Sequence, residues 1–168
     1  MGDWNLFFAT CAGSAATLAG LLFVATQLHV DVFVDPKNRW AALAQSTLTI
    51  LSSVLGLSLS FLIPKLPIAV RADLVTAISL LVFWRTVRVW WPVVRIGQRG
   101  RRKRLERSFW LLIAPVAVYA YLLIGAIQLT RGDQTDGLIT IAGAFLSMFG
   151  IALRNSWRLV VSPAQHTG

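Results

Sequence analysis

A row of small polar residues in the second apolar segment is the feature of this chain best suited to chemistry. Ser46, Thr49, Ser53, Gly56 and Ser60 recur at i, i+3, i+7, i+10 and i+14, which places them on one face of a helix. Hydroxyl oxygens along such a face can replace part of an ion's hydration shell and line a narrow path. They can equally bond a carbonyl one turn back in their own helix. The row therefore predicts either a pore lining or a packing seam.

Two pairs of arginines, each spaced for one helical face, lie near the ends of later apolar segments. They are Arg85 with Arg88 and Arg154 with Arg158. If the two faces converge, the four guanidinium groups form a cationic collar that attracts anions or phosphate headgroups. The alternative is that each side chain only extends toward the lipid headgroups at the end of its own helix.

Arg71 and Asp73 precede the shortest apolar run. Being two residues apart, they point to different sides of a helix, so each needs its own partner. If the helix already includes them, they are ionisable groups at the hydrocarbon boundary, where charge is costly and often functional. If the helix begins after Asp73, the carboxylate caps its N-terminus. We favour the cap.

A strongly basic segment separates the third and fourth apolar runs. Nine of the sixteen Lys and Arg residues fall between Arg85 and Arg107. Such a segment binds anionic lipid headgroups, with each charge contributing on the order of 1 kcal/mol, or it only fixes the topology of the protein. It brings no nucleic-acid recognition module, so we expect no nucleic-acid partner. The residues predicted to bind lipid are Arg99, Arg101, Arg102, Lys103, Arg104 and Arg107.

Small residues form further faces, which predict close helix packing. Such faces let helix backbones approach each other in lipid, either inside one chain or between chains. They therefore predict a homo-oligomer or a complex with another membrane protein. The residues are Ala9, Gly13, Ala16 and Gly20 in the first segment and Gly143, Ser147 and Gly150 in the last.

The chain shows no recognisable arrangement of catalytic or metal-binding residues. It has one cysteine, Cys11, and two histidines, His29 and His166, with no paired carboxylates inside an apolar run. This inventory predicts no catalytic site, no metal site and no cofactor.

The elements that carry these residues follow from the distances between charged residues. Uncharged runs of 27, 25, 23 and 17 residues follow Asp3, Arg39, Arg107 and Asp136, and a run of only 11 follows Asp73. A helix of about 20 residues crosses the hydrocarbon core. The chain is thus expected to be a single transmembrane domain over residues 1–168. It is an all-α bundle with five spans at about 5–28, 40–63, 70–91, 109–130 and 137–160, and a basic cytoplasmic loop at 92–108.

Composition agrees with a membrane protein. The chain is 56% hydrophobic and 14% charged, whereas a soluble domain is about 25% charged. Its mean hydropathy is +0.66. These values exclude a disordered chain and a cytosolic enzyme.

Charge asymmetry predicts the orientation. With the basic loop inside, five spans place the N-terminus outside and the C-terminus inside. Tryptophan, which favours the membrane–water interface, agrees with this orientation. Only Trp4 lies at an outer end, and the inner ends carry Trp40, Trp84, Trp90, Trp91, Trp110 and Trp157.

The first segment, from Phe7 to Ala25 with its closing GLLFVA stretch, resembles a known type of helix. It is similar to the opening of a family of small, functionally uncharacterised polytopic membrane proteins of actinobacterial type. The resemblance implies a bacterial cytoplasmic membrane and carries no activity or site residue with it.

From these features we expect a small oligomeric membrane protein that acts as an ion channel or pore. The alternative is a non-conducting accessory subunit that binds another membrane protein or anionic lipid.

Overall fold

The computed structural model describes residues 2–28, 39–96 and 102–161, and these are helical apart from two short turns. Five helices follow one another, and no strand occurs among these residues, so the prediction of an all-α fold is confirmed. They are α1 (Gly2–Leu28), α2 (Arg39–Leu62), α3 (Ile68–Ile96), α4 (Arg102–Arg131) and α5 (Gln134–Val161).

Four of these helices are long and apolar enough to cross a membrane. The qualifying stretches are Trp4–Gln27, Leu43–Leu62, Ala114–Arg131 and Gln134–Leu159. Helix α3 is not among them, because charged residues flank its short apolar centre on both sides. The architecture is thus compatible with a helical membrane protein, and a fifth span through α3 stays a prediction.

The helices on either side of the basic segment extend beyond the predicted spans. Helix α3 runs to Ile96 and α4 begins at Arg102, so residues 92–96 and 102–108 are helical rather than part of a loop. Spacing between charges marks the limits of the hydrocarbon, not the ends of a helix. At the start of α4, Arg, Lys, Leu and Glu are good helix formers in water, so this helix extends beyond the predicted span.

Helix α3 begins earlier than expected. The Arg71 N–H donates to the Pro67 carbonyl at 3.2 Å, which starts the helix at Ile68. Asp73 therefore lies in the second turn, inside the helix. The prediction that it caps the N-terminus is wrong, because a capping residue precedes the first helical residue.

One compact unit of the chain comprises residues 1–65 and 145–168. In it α1 packs against α2, and aromatic rings fill part of the core. Phe8 stacks on Phe61 with ring centroids 4.4 Å apart and meets Phe145 edge-on at 5.9 Å. All three side chains are almost fully buried. The N-terminal half of α1 is thereby fixed against the C-terminal end of α2.

A second compact unit comprises residues 66–144. In it α3 packs against α4. The buried residues of α3 include Ala72, Val75, Ser79 and Val82, whose spacing of i, i+3, i+7 and i+10 puts them on one narrow side of the helix. The remaining α3 residues between Leu74 and Trp84 are exposed or half-buried, and most are apolar.

A tight turn joins α4 to the first part of α5 in this unit. Gly132 has a φ of 95°, a left-handed conformation that favours glycine. Its N–H donates to the Leu129 carbonyl at 3.3 Å, and the Asp133 N–H donates to the Gln128 carbonyl at 3.1 Å. These two bonds form a Schellman motif. The chain reverses within two residues, so α4 and the part of α5 up to Ala144 form an antiparallel hairpin, called here the α4–α5 hairpin.

Candidate functional site

The hydroxyl row of α2 lies along the border between the buried and exposed sides of the helix. Ser53 and Ser60 are buried, Ser46 and Thr49 are half-buried, and Gly56 is exposed. Part of the predicted row is therefore enclosed by the chain itself, and only its edge is accessible from outside.

All four hydroxyls of the row donate to carbonyls of their own helix. A hydroxyl that donates its proton in this way can still accept a hydrogen bond or contact a cation through its oxygen lone pairs. The bonds are Ser46 to Leu43 at 2.8 Å, Thr49 to Gln45 at 2.9 Å, Ser53 to Thr49 at 2.8 Å and Ser60 to Leu57 at 2.7 Å.

A polar face on the accessible side of α2 adjoins this row. Gln45, Ser52 and Gly56 are exposed and Thr49 is half-buried, at a spacing of i, i+4, i+7 and i+11 that keeps them on one side. We call these four residues the α2 polar face. It extends over about 16 Å at 1.5 Å per residue.

Two exposed apolar side chains continue the same side of α2 toward its C-terminal end. Leu59 is 50% exposed and Ile63, just beyond the end of the helix, is 48% exposed. The accessible side of α2 is thus polar from Gln45 to Gly56 and apolar from Leu59 onward.

The sequence pattern did not point to Gln45 and Ser52. At 100° per residue the hydroxyl row is centred about 50° away from the α2 polar face around the helix axis, and it fits a helical spacing equally well. The sequence feature that could have indicated this side is the amide of Gln45, which is the largest polar side chain in the apolar stretch of α2.

The opposite, buried side of α2 offers no continuous polar path. Thr47 and Ser58 are both fully buried there, but Leu51 and Val54 lie between them. Thr47 donates to the Leu43 carbonyl at 2.8 Å, and Ser58 has no hydrogen-bond partner among the described residues. The polar residues that follow one another without interruption along one side of α2 are therefore those of its accessible side.

The small residues of α1 lie on its exposed side. Ala9, Gly13, Ala16 and Gly20 are all exposed, and a Cβ atom added to Gly13 or Gly20 would meet nothing within 4 Å. We call these four residues the α1 small-residue face. It is open in the single chain, so its predicted role in packing stays a prediction.

The small residues of α5 divide into two groups. A Cβ atom on Gly143 would lie 3.2 Å from the ring of Tyr121, so this glycine borders α4. Ser147 and Gly150 are exposed, and nothing lies within 4 Å of a Cβ on Gly150.

Two glycines that the sequence analysis did not single out form the closest approach in the α4–α5 hairpin. A Cβ atom on Gly125 would lie 2.8 Å from Ile141 Cγ1, and one on Gly137 would lie 2.9 Å from the Leu129 side chain and 3.1 Å from the Gly125 carbonyl oxygen. Nearby, Thr140 Oγ1 donates to Gln128 Oε1 at 2.7 Å. This hairpin is packed backbone to backbone and is joined by a side-chain hydrogen bond.

The four arginines of the predicted collar lie in separate units. Arg85 and Arg88 are exposed on α3, whereas Arg154 is exposed and Arg158 half-buried on α5. The collar stays a prediction. Of the boundary pair, Arg71 is half-buried with its Nε enclosed by the chain, and Asp73 is exposed.

The predicted lipid-binding segment is only partly described. Arg99 and Arg101 lie outside the described residues, and Arg102, Lys103, Arg104 and Arg107 lie in the first turns of α4. No group of three His, Cys, Asp or Glu side chains suited to a metal ion occurs in residues whose placement is described. Cys11 is buried and carries a free thiol.

Comparison with known proteins does not extend this description. No family model, no curated protein and no solved structure matches the chain. The likeness of α1 to the actinobacterial-type family accordingly stays a prediction.

Proposed function

We propose that the protein is a small homo-oligomeric channel of the membrane, in which the α2 polar face lines an ion path between copies. One observation carries this proposal: an amide, two hydroxyls and a glycine occupy the accessible side of a helix that is apolar enough to cross a membrane. Polar groups facing lipid are costly, whereas a water-filled path hydrates them.

The path would change character along its length. Around Gln45, Thr49 and Ser52, oxygen atoms are available to replace water around an ion. Around Leu59 and Ile63 the same side is apolar, which suits a constriction that closes by losing its water. A channel with this arrangement is closed by default and opens when the apolar part becomes wetted.

The proposal includes five membrane spans, with α3 as the third. The accessible side of α3 from Leu74 to Trp84 is almost entirely apolar, whereas a helix lying on a membrane surface has a polar side. This supports a short third span whose flanking charges extend to the headgroups. The charge asymmetry then favours an outer N-terminus and an inner C-terminus in a bacterial cytoplasmic membrane.

The experiment is ion flux into liposomes that contain the purified protein. Ser52→Leu should reduce the flux at least about tenfold by dehydrating the path, and Leu59→Ser should increase it by wetting the constriction. Ser14→Leu is the matched control, because Ser14 is an exposed serine on α1, and it should leave the flux unchanged.

Subunit number is measured on the same samples by native mass spectrometry in lipid nanodiscs. An axial path needs a closed ring of three or more copies. Equal flux in wild type and Ser52→Leu, or a monomeric wild type, would contradict the channel.

A second candidate is a non-conducting subunit that binds another membrane protein. The open α1 small-residue face favours it, since such faces support close helix contact and no described residue lies within 4 Å of a Cβ atom on Gly13 or Gly20. A photo-crosslinking residue at Ala16 would then capture a different protein in native membranes. Capture of further copies of this chain alone would favour the homo-oligomer.

A further inference from the structure

We propose that Arg85, Arg88 and Trp84 on α3 form a binding site for the headgroup of an anionic phospholipid. The acyl chain of this lipid would lie along an exposed apolar strip of the same helix. This inference uses only α3 and does not depend on ion conduction.

The two guanidinium groups are placed to hold one phosphate. Arg85 and Arg88 are three residues apart, which puts their Cβ atoms about 5–6 Å from each other on one face of the helix. Both side chains are exposed. Guanidinium groups bind phosphate oxygens through two parallel hydrogen bonds each, so the pair matches a phosphodiester better than a single lysine would.

The positive charge of this pair is not compensated along its own helix. No Asp or Glu lies three or four residues from either arginine, and the one acidic residue of α3 is Asp73. Asp73 precedes Arg85 by twelve residues, or about 18 Å along the helix axis. Within α3 no carboxylate neutralises the pair, which suits it to an anion from outside this helix.

Apolar side chains extend from the arginines toward the centre of the helix. Leu74, Ala77 and Leu81 are exposed, and with Arg85 and Arg88 they follow a spacing of i, i+3, i+7, i+11 and i+14 on one side. Leu81, next to the arginines, is 66% exposed. The strip is basic at one end and apolar for about 16 Å beyond it, which matches a lipid with its headgroup at the interface.

Trp84 adds an anchor at the same level. Its indole is 66% exposed beside the arginine pair. Indole rings prefer the headgroup region because they combine an apolar body with one polar N–H group. A free phosphate ion or an acidic peptide would use the arginines and leave the indole and the apolar strip without a partner.

The comparable residues of α5 are less open. Arg154, Trp157 and Arg158 have a similar composition, and Trp157 is exposed. However, Arg158 is half-buried, and both arginines already take part in interactions within the chain. The structure therefore favours α3 as the lipid site.

The experiment is native mass spectrometry of the delipidated full chain in detergent, with added phosphatidylglycerol or phosphatidylcholine of identical acyl chains. Wild type should retain phosphatidylglycerol at least about tenfold more strongly, and the Arg85→Gln/Arg88→Gln double variant should lose this preference. Arg131→Gln is the matched control, because Arg131 is an exposed arginine without a second arginine one turn away. It should keep the preference.

A further variant tests the apolar strip. Leu81→Ser should weaken retention of phosphatidylglycerol and leave the weak binding of glycerol phosphate, which has no acyl chain, unchanged. Circular dichroism confirms that each variant keeps its helix content. Equal retention of both lipids by wild type would overturn the proposal. Equal loss in Arg131→Gln, or displacement of the lipid by millimolar inorganic phosphate, would overturn it too.

Discussion

Glycines lie at a close helix contact in the α4–α5 hairpin, whereas those of the α1 small-residue face lie on an open surface. In the hairpin, Gly125 and Gly137 let two backbones touch, and an added methyl group at either position would collide with the neighbouring helix. On α1, Gly13 and Gly20 face outward with nothing near them. The two regions have similar small-residue composition, yet one is an occupied contact and the other is open.

The difference shows what a small-residue pattern can and cannot indicate. Small residues permit close approach of helices, and in lipid that approach is favoured by van der Waals packing and interhelical hydrogen bonds. In the hairpin, a two-residue turn brings the neighbouring helix alongside. The hydrogen bond between Thr140 and Gln128 then joins the two helices. Among the described residues nothing of this kind reaches the α1 small-residue face, so a partner for it is expected from another chain.

The largest effect is expected for Gly125→Ala. The new methyl group would lie 2.8 Å from Ile141 Cγ1 and 3.3 Å from the Gly137 carbonyl oxygen, so the helices must move apart. The free energy of unfolding should fall by about 1–3 kcal/mol, the usual cost of overpacking. Unfolding in increasing dodecyl sulfate, followed by circular dichroism, measures it. An unchanged midpoint would mean that the hairpin is not closely packed.

The same substitution on α1 should act in the opposite direction. Gly13→Ala places a methyl group where nothing lies within 4 Å, and alanine favours a helix over glycine by up to about 1 kcal/mol. The free energy of unfolding should therefore stay constant or rise in the same dodecyl sulfate titration. A clear loss of stability in a monomeric sample would show that this face is already covered.

A smaller effect is expected for the hydrogen bond between Thr140 and Gln128. A double-mutant cycle with Thr140→Val and Gln128→Leu should give a coupling free energy of about 0.6 kcal/mol, the average for such bonds in membrane proteins. The cycle is measured by the same titration on the four proteins. Additive effects of the two substitutions would show that the bond does not contribute to the hairpin.

Sequence alone located the helices well but not their ends. Long uncharged runs predict α1, α2, α4 and α5, because few other structures accommodate so many consecutive apolar residues. The ends of α3 and α4 could not be read in this way, since residues such as Arg102 and Lys103 favour helix without being apolar. The start of α3 at Ile68 depends on a bond to the Pro67 carbonyl, which no charge pattern signals.

For the candidate site, the sequence did not predict which side of α2 faces outward. Ser53 and Ser60 are tolerated on the buried side because each satisfies its hydroxyl within its own helix. Serine and threonine thus occur on either side of a helix, and a row of them marks no particular side. Gln45 is more informative, since its amide has no comparable bond to its own helix among the described contacts and it lies outward.

The two-residue turn at Gly132 also has a consequence for how the chain would lie in a membrane. Arg131 and Gln134 are joined by so short a link that the adjoining ends of α4 and α5 stay within about 10 Å of each other. In a bilayer these two ends would therefore lie at the same surface, side by side. Thr140 and Gln128 would then satisfy each other's polar groups away from water, without help from a third helix.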